Sequence, residues 1–362
     1  MRRRDLGIGV AAGITAGAVG VAVVAALQDE PRDLRATQAV VPSAASPQRP
    51  SGGVQPKNST SSGPSSAKAD VSRVSMKHSA AYLHLGWGRP PNVKKVMKAT
   101  GIRSFTLAFI LSDGGCGPAW DGRRPLKGGV DARTIAAIKA AGGSVQISFG
   151  GWSGRKLGPR CATPQAYAAA VQKVIDAYRP TALDFDMENS ELRNAAVQDR
   201  ILRGLKIVES RNPGIGIIIT MSTARKGPDR WGVRLIRRAK EFGVDVDNYT
   251  IMPFNFGGGN IRAGTVSAAQ GLKRTLVSVR GWSEATAYSR MGISGMNGRS
   301  DDKEITTPAT WTAIRDWAGE RGLTRLAFWS VNRDRPCPGD VRSTCSGVSQ
   351  NPWQFTRITA GF

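Results

Sequence analysis

Thr181-Ala-Leu-Asp-Phe-Asp-Met-Glu188 alternates three acids, Asp184, Asp186 and Glu188, with the apolar Leu183, Phe185 and Met187. Period-two alternation is the mark of a strand, whose side chains point to opposite faces, so the three carboxyls share one face at spacings of roughly 6 to 7 Å. The other face is apolar. Three acids on one side of a buried strand cannot all ionise freely, because like charges and loss of water both raise a carboxyl pKa. One of them is expected to keep its proton near neutral pH, as a general acid must.

On either side of this strand, short apolar runs alternate with helix-patterned segments. Candidate strands begin near Ala81, Ser104, Gly143, Thr181, Ile215, Tyr249, Met291 and Arg325. Helical patterns occupy 92–100, 131–141, 164–178, 193–211, 229–242, 265–281 and 308–321. Asp131 and Thr163-Pro164 have the character of helix starts, Thr163 as an N-cap with proline at the first helical position. A doubly wound open sheet has similar local patterning, but the count of eight strands favours a (β/α)8 TIM barrel. In such a barrel the site lies at the C-terminal ends of the strands. Residues of unusual chemistry gather there: Trp87 after the first strand, Cys116 and Trp120 after the second, Ser148-Phe-Gly150-Gly151-Trp152 after the third. The three acids end the fourth, Met252-Pro-Phe254-Asn255 the sixth and Trp329 the eighth. Flat aromatic faces beside carboxyls and amides suit a sugar ring, which has apolar C–H faces and a polar edge.

The 362-residue chain carries 51 Lys plus Arg against 27 Asp plus Glu. Residues 1–76 hold nine basic and five acidic residues, so +20 of the net +24 rests on the remainder. Such a field favours anionic cell-surface polymers. No helix-turn-helix, RNP or zinc-finger pattern points to specific nucleic-acid binding. His78 and His84 are the only histidines, which disfavours a Ser-His-Asp hydrolase. Metal-ligand spacing is absent, no cofactor motif is seen, and a monomer is expected. Cys116, Cys161, Cys337 and Cys345 allow two disulfides in an oxidising compartment, with the connectivity open.

Arg2, Arg3 and Arg4 precede an uncharged run from Leu6 to Leu27, followed by Gln28-Asp29-Glu30. Residues 1–30 therefore read as an export signal or a signal anchor; Val24-Ala25-Ala26 offers a cleavage site, and the run is also long enough to span a bilayer. Both alternatives place the rest outside the cytoplasm, secreted or tethered to the outer face of the membrane. Residues 31–77, rich in Ser, Pro and Gly, read as a disordered, flexible linker, and 78–362 as the catalytic barrel domain.

At the strand ends the sequence resembles glycoside hydrolase family 18, the chitinases and their relatives, over roughly residues 80–362. Ser148-Phe149-Gly150-Gly151 resembles the family's SxGG motif, Leu183 to Glu188 the core of DGxDxDxE, Met252-Pro-Phe254-Asn255 the place of MxYD, and Trp329 the tryptophan beneath the sugar. Phe105 to Ile110 and Trp329 to Asp334 look like the bacterial secreted branch. The resemblance implies metal-free, retaining hydrolysis of chitin or another N-acetylglucosamine glycan. Glu188 would be general acid and then base, and the substrate's acetamido oxygen the nucleophile. Asp186 would orient the acetamide N–H, with Asp184 sharing a proton with Asp186. Trp87, Trp152, Ser148, Gly150, Gly151, Phe254 and Asn255 would contact or shape the substrate site. Thr181 and Ala182 depart mildly from the longer motif. Phe254 and Asn255 stand where the family has tyrosine and aspartate, which implies reduced activity and leaves a second reading, a glycan-binding protein with little or no turnover. A third reading is a basic domain that binds anionic polymer without using a cleft.

Overall fold

The computed structural model describes residues 78–337 and 343–362. Eight parallel strands form a closed barrel: β1 (His78–His84), β2 (Ser104–Ser112), β3 (Ser144–Gly150), β4 (Ala182–Met187), β5 (Gly216–Ser222), β6 (Asn248–Met252), β7 (Met291–Met296) and β8 (Arg325–Trp329). Each pairs with the next, and β1 pairs with both β2 and β8. The longer helices are α1 (Val93–Thr100), α2 (Gly129–Ala140), α3 (Pro164–Tyr178), α4 (Ala195–Arg211), α5 (Arg230–Glu241), α6 (Ile261–Arg280), α7 (Pro308–Glu320) and α8 (Gln354–Ala360), with shorter ones at Leu157–Arg160, Asn189–Leu192 and Glu284–Ser289. The expected (β/α)8 architecture is the one observed. The expected N-terminal signal or anchor (1–30) and linker (31–77) lie outside the described residues. Among the described residues no helix is long and apolar enough to cross a membrane.

Helix starts follow the chain's capping residues. Thr163 accepts from the Ala166 N–H with Pro164 in the first turn, and Thr307 with Pro308 does the same for α7. Asp131 does not cap α2: that helix begins at Gly129, and Asp131 lies buried in its first turn, receiving both arms of Arg124 at 2.8 and 2.9 Å. A buried carboxylate paired with a guanidinium fork outcompetes a solvent-exposed cap. Periodicity also missed α8, which has only seven residues. It is held by Phe355, packed 6.1 Å from Phe328, and by the buried Asp334 carboxylate, which accepts from the N–H groups of Phe355 and Thr356.

Strand alternation sorts the barrel. Leu183 and Phe185 of β4 join the apolar shell under the helices with Ile147, Ile217, Ile219 and Phe328. Asp184 and Asp186 point the other way, into the barrel. There the fully buried Arg325 donates to Gln146 (3.3 Å), Thr250 (3.1 Å) and Thr106 (3.2 Å), crossing from β8 to three other strands. Gly292 makes room for it: a Cβ there would sit 2.8 Å from that of Arg325 and 2.5 Å from the Thr250 hydroxyl oxygen. The barrel interior is thus a polar plug below and an aromatic layer of Tyr82, Phe109 and Trp329 above.

The cysteines pair as Cys116–Cys161 and Cys337–Cys345, with Cα separations of 4.7 and 5.1 Å. The first ties the segment after β2 to the segment after β3.

Candidate active site

Asp184 is fully buried and accepts three hydroxyls at 2.6 Å each: Tyr82 of β1 and Ser148 of β3 on one oxygen, Thr220 of β5 on the other. Arg325 stands 3.6 Å away. Two residues on, Asp186 is 4% exposed and one of its oxygens has no hydrogen-bond partner. Burial first, and then the negative charges of Glu188 and Asp184, hold its carboxyl well above the usual range; Lys156 and Arg325 oppose the rise. Glu188 follows at the rim, half-buried. Burial lifts its carboxyl to about 7, with the Lys156 ammonium opposing and the Asp301 carboxylate adding to the rise. The three acids therefore form a gradient from a fully bonded base of the stack to a solvent-reaching tip.

Asp186 and Glu188 open into a cleft of about 660 Å³ across the mouth of the barrel. Its floor is Trp329, stacked on Phe109 with centroids 5.6 Å apart and planes 11° from parallel, and flanked by Trp87 at 5.2 Å. The peptide bonds Ala108–Phe109 and Trp329–Ser330 are cis. At one wall His84 donates from Nε2 to Asp121 (2.9 Å) while its Nδ1 accepts from the Gly86 N–H. Burial acts to raise the Asp121 carboxyl, but the hydrogen bonds from His84 and Arg124 and the Arg124 charge outweigh it and hold the group below its ordinary value. Trp152, 70% exposed, stands at the rim. On the far side of Glu188 a second cavity of about 270 Å³ is lined by Arg193, Ser222 and Asp229.

The residues singled out in the sequence divide into two groups. Trp87, Trp152, Phe254, Asn255 and Trp329 line the cleft with Asp186 and Glu188. Ser148, Gly150 and Gly151 lie behind the acids instead of on its wall. Ser148 is fully buried with its hydroxyl on Asp184, and the Gly151 N–H donates to the Asp186 carbonyl at 2.9 Å. Gly150, at φ +97°, could not carry a side chain, since a Cβ would meet that same carbonyl oxygen at 2.3 Å. Asn255, at φ +57°, turns its amide to the Asp301–Asp302 turn, accepting from the Asp302 N–H at 3.3 Å. Trp120, counted with the rim aromatics from sequence, is a core residue: it is fully buried and its indole N–H donates to the Tyr178 hydroxyl at 2.8 Å. Sequence reasoning missed Tyr82, Phe109, His84, Asp121 and Asp301. For Tyr82 and His84 the signal was available, since they share one face of a strand that ends at the mouth. For Asp301, on a turn between the two-residue strands Gly298–Arg299 and Ile305–Thr306, there was none. Among the described residues no cluster of His, Cys, Asp and Glu could hold a metal ion.

No family model matches the chain. The catalytic domain of a hyperthermophilic chitinase from Pyrococcus furiosus superposes with a TM-score of 0.73 at 29% identity, over 78% of this chain and 93% of that one. The probable bifunctional chitinase/lysozyme of Escherichia coli (strain K12) is 24% identical over 305 residues, which is 78% of this chain and 34% of that protein. Endochitinase 11 of Metarhizium anisopliae is 23% identical over 285 residues, 71% of this chain and 52% of that one. The chain thus spans a third to a half of the curated relatives it matches. With an acid-bearing β4, an aromatic floor closed by β8 and these relatives, the chain is similar in sequence and fold to the chitinase-like glycoside hydrolases of family 18.

Proposed function

We propose that the barrel hydrolyses β-1,4-linked N-acetylglucosamine glycans, chitin or its oligomers, with retention and with assistance from the substrate's own acetamido group. The observation that carries this is the Asp184–Asp186–Glu188 gradient above an aromatic floor. A sugar stacked on Trp329 and Phe109 places its glycosidic oxygen toward Glu188, whose carboxyl at about 7 can donate a proton and later accept one from water. The unpartnered Asp186 oxygen awaits a donor, which the acetamide N–H supplies. As that group closes on the anomeric carbon, positive charge develops beside Asp186, and a carboxylate there stabilises it. Asp184 reaches no substrate. It fixes Asp186 through the strand, and its negative charge helps keep a proton on Asp186 before the reaction; that proton passes to Asp184 as the acetamido group closes, which leaves Asp186 the carboxylate. Purified full-length protein is expected to release reducing ends from soluble N-acetylglucosamine oligomers. No release at high protein concentration would refute the reading.

The pH dependence follows from the acid. Glu188 is raised from 4.5 to about 7, so its proton is present below 7 and lost above it. kcat/KM should therefore fall by about tenfold per pH unit above about pH 7. A rate still rising at pH 9 would exclude Glu188 as the acid.

Phe254 favours a second reading, a barrel that binds glycan with little turnover. It lines both cavities beside Glu188 and offers no hydroxyl to the acetamide oxygen. One hydrogen bond felt in the transition state is worth about 1–3 kcal/mol, or roughly one to two orders of magnitude in rate. Phe254→Tyr is accordingly expected to raise kcat/KM by about 10- to 100-fold, measured on a chromogenic chitobioside. An unchanged rate would mean that this hydroxyl does not limit turnover.

The arginine-led apolar segment at residues 2–27 and the two disulfides support a location outside the cytoplasm, secreted or tethered. The excess of basic residues supports attraction to anionic surface polymers, separable from cleft binding by its loss at high salt.

A further inference from the structure

Behind the glycine turn of β3 lies a buried ammonium that the reaction scheme above does not use. Lys156 is only 6% exposed, and its Nζ donates to three backbone carbonyls of that turn: Gly151, Ser153 at 2.7 Å and Gly150 at 3.4 Å. Beside it Glu191, 4% exposed, starts three residues after Glu188. It accepts from the Gly158 N–H at 2.9 Å, and its other oxygen lies 2.9 Å from where a Gly150 Cβ would stand. Among the described residues no carboxylate oxygen reaches Lys156 Nζ directly. Burying an ammonium costs several kcal/mol unless its protons are bonded and opposite charge is near. Here both conditions hold. The same turn is stitched to the acid strand twice more, by Gly151 N–H to the Asp186 carbonyl and by the Asn189 amide to the Trp152 carbonyl, each at 2.9 Å.

We propose that Lys156 is a positioning residue of this site: its ammonium clamps the glycine turn of β3 against the acid strand and places a positive charge behind Asp186 and Glu188. The proposal rests on the hydrolase reading for its catalytic meaning, though not for its electrostatic content. Burial lowers the proton affinity of Lys156, and the charges of three nearby acids, Glu191, Asp186 and Glu188, act against that fall. Glu188 in turn faces Lys156, Asp301 from the turn after β7 and its strand neighbour Asp186, with Arg193 and Asp229 across the smaller cavity. Of these, Lys156 is the cation that opposes the effect of burial on Glu188. A residue that must first give a proton and then take one works best with its affinity near the working pH. Burial alone would overshoot, and the charge behind the turn draws it back.

The test compares full-length wild type with Lys156→Gln, which keeps two donors but no charge, Lys156→Met, and Lys156→Arg, which keeps the charge. The Glu188 δ-carbon titration, assigned with Glu188→Gln, is read by 13C NMR alongside the alkaline limb of kcat/KM. Expected is an upward move of the Glu188 midpoint by about half a unit or more in the Gln and Met variants, with the alkaline limb following it and the Arg variant close to wild type. A Gln variant that melts lower yet keeps the wild-type midpoint would overturn the proposal and leave Lys156 a structural clamp. If wild type shows no turnover, the hydrolase reading fails while the NMR midpoint still decides the role of Lys156.

Discussion

Glu188→Gln should lower kcat on soluble N-acetylglucosamine oligomers by at least about 10³-fold, with the melting temperature and oligomer binding retained. The amide has nearly the shape of the acid but can neither donate a mobile proton to the leaving oxygen nor accept one from water. General acid–base catalysis alone is worth about 10²–10⁴-fold, and in this scheme Glu188 serves both steps. The half-buried position explains why stability is spared: burial already lifts its carboxyl to about 7, so at neutral pH the fold tolerates an uncharged group there. Combining Glu188→Gln with Phe254→Tyr separates the two effects, since the added hydroxyl cannot rescue a missing proton donor. Turnover persisting in Glu188→Gln would mean that another group delivers the proton.

Asp184→Ala has the opposite signature, a loss of the fold before a loss of chemistry. The carboxylate accepts from Tyr82, Ser148 and Thr220 and faces Arg325, all of them fully buried or nearly so. Removing one partner of a buried charged pair leaves the other uncompensated, at about 3–5 kcal/mol. For a barrel of this size that lowers the melting temperature by about 10 °C. Replacing Asp184 by Asn and Arg325 by Met together should cost less than the sum of the two single changes, because the pair then leaves no lone charge. A melting temperature within about 2 °C of wild type for Asp184→Ala would show that the polar plug is not what holds the barrel interior. Activity is expected to fall in every one of these variants, since Asp186 loses both its positioning and the neighbouring charge.

The barrel was legible in the chain because its strands are short apolar runs at even spacing and helices carry their own caps, as at Thr163. The acid strand was legible for the same reason: alternation fixes which face the carboxyls share. What periodicity cannot convey is what closes over that face from elsewhere. Tyr82, Thr220 and Arg325 meet Asp184 only because β1, β5 and β8 return to one interior; the face of β1 that carries Tyr82 was legible, but nothing local in β5 or β8 announces a partner for a carboxylate on another strand. Trp120 shows the converse error. A tryptophan after a strand looks like a sugar platform, yet its short antiparallel strand Pro118–Trp120 folds back along β2 and buries the ring against Tyr178. Asp131 likewise has the residue type of a cap and the partner of a buried ion pair. Phe254 and Asn255 were legible as departures, and the structure adds that the Asn255 amide is occupied with the Asp301–Asp302 turn.

The gradient from Asp184 to Glu188 gains its meaning from one chemical claim, that the acetamido group of the substrate does the work of an enzymic nucleophile. Early-time proton NMR of wild-type protein with a soluble N-acetylglucosamine pentamer tests it most directly. The β-anomer of the new reducing end should accumulate first and then drift to the equilibrium mixture. New α-anomer appearing first, or no new reducing ends at all, would contradict it.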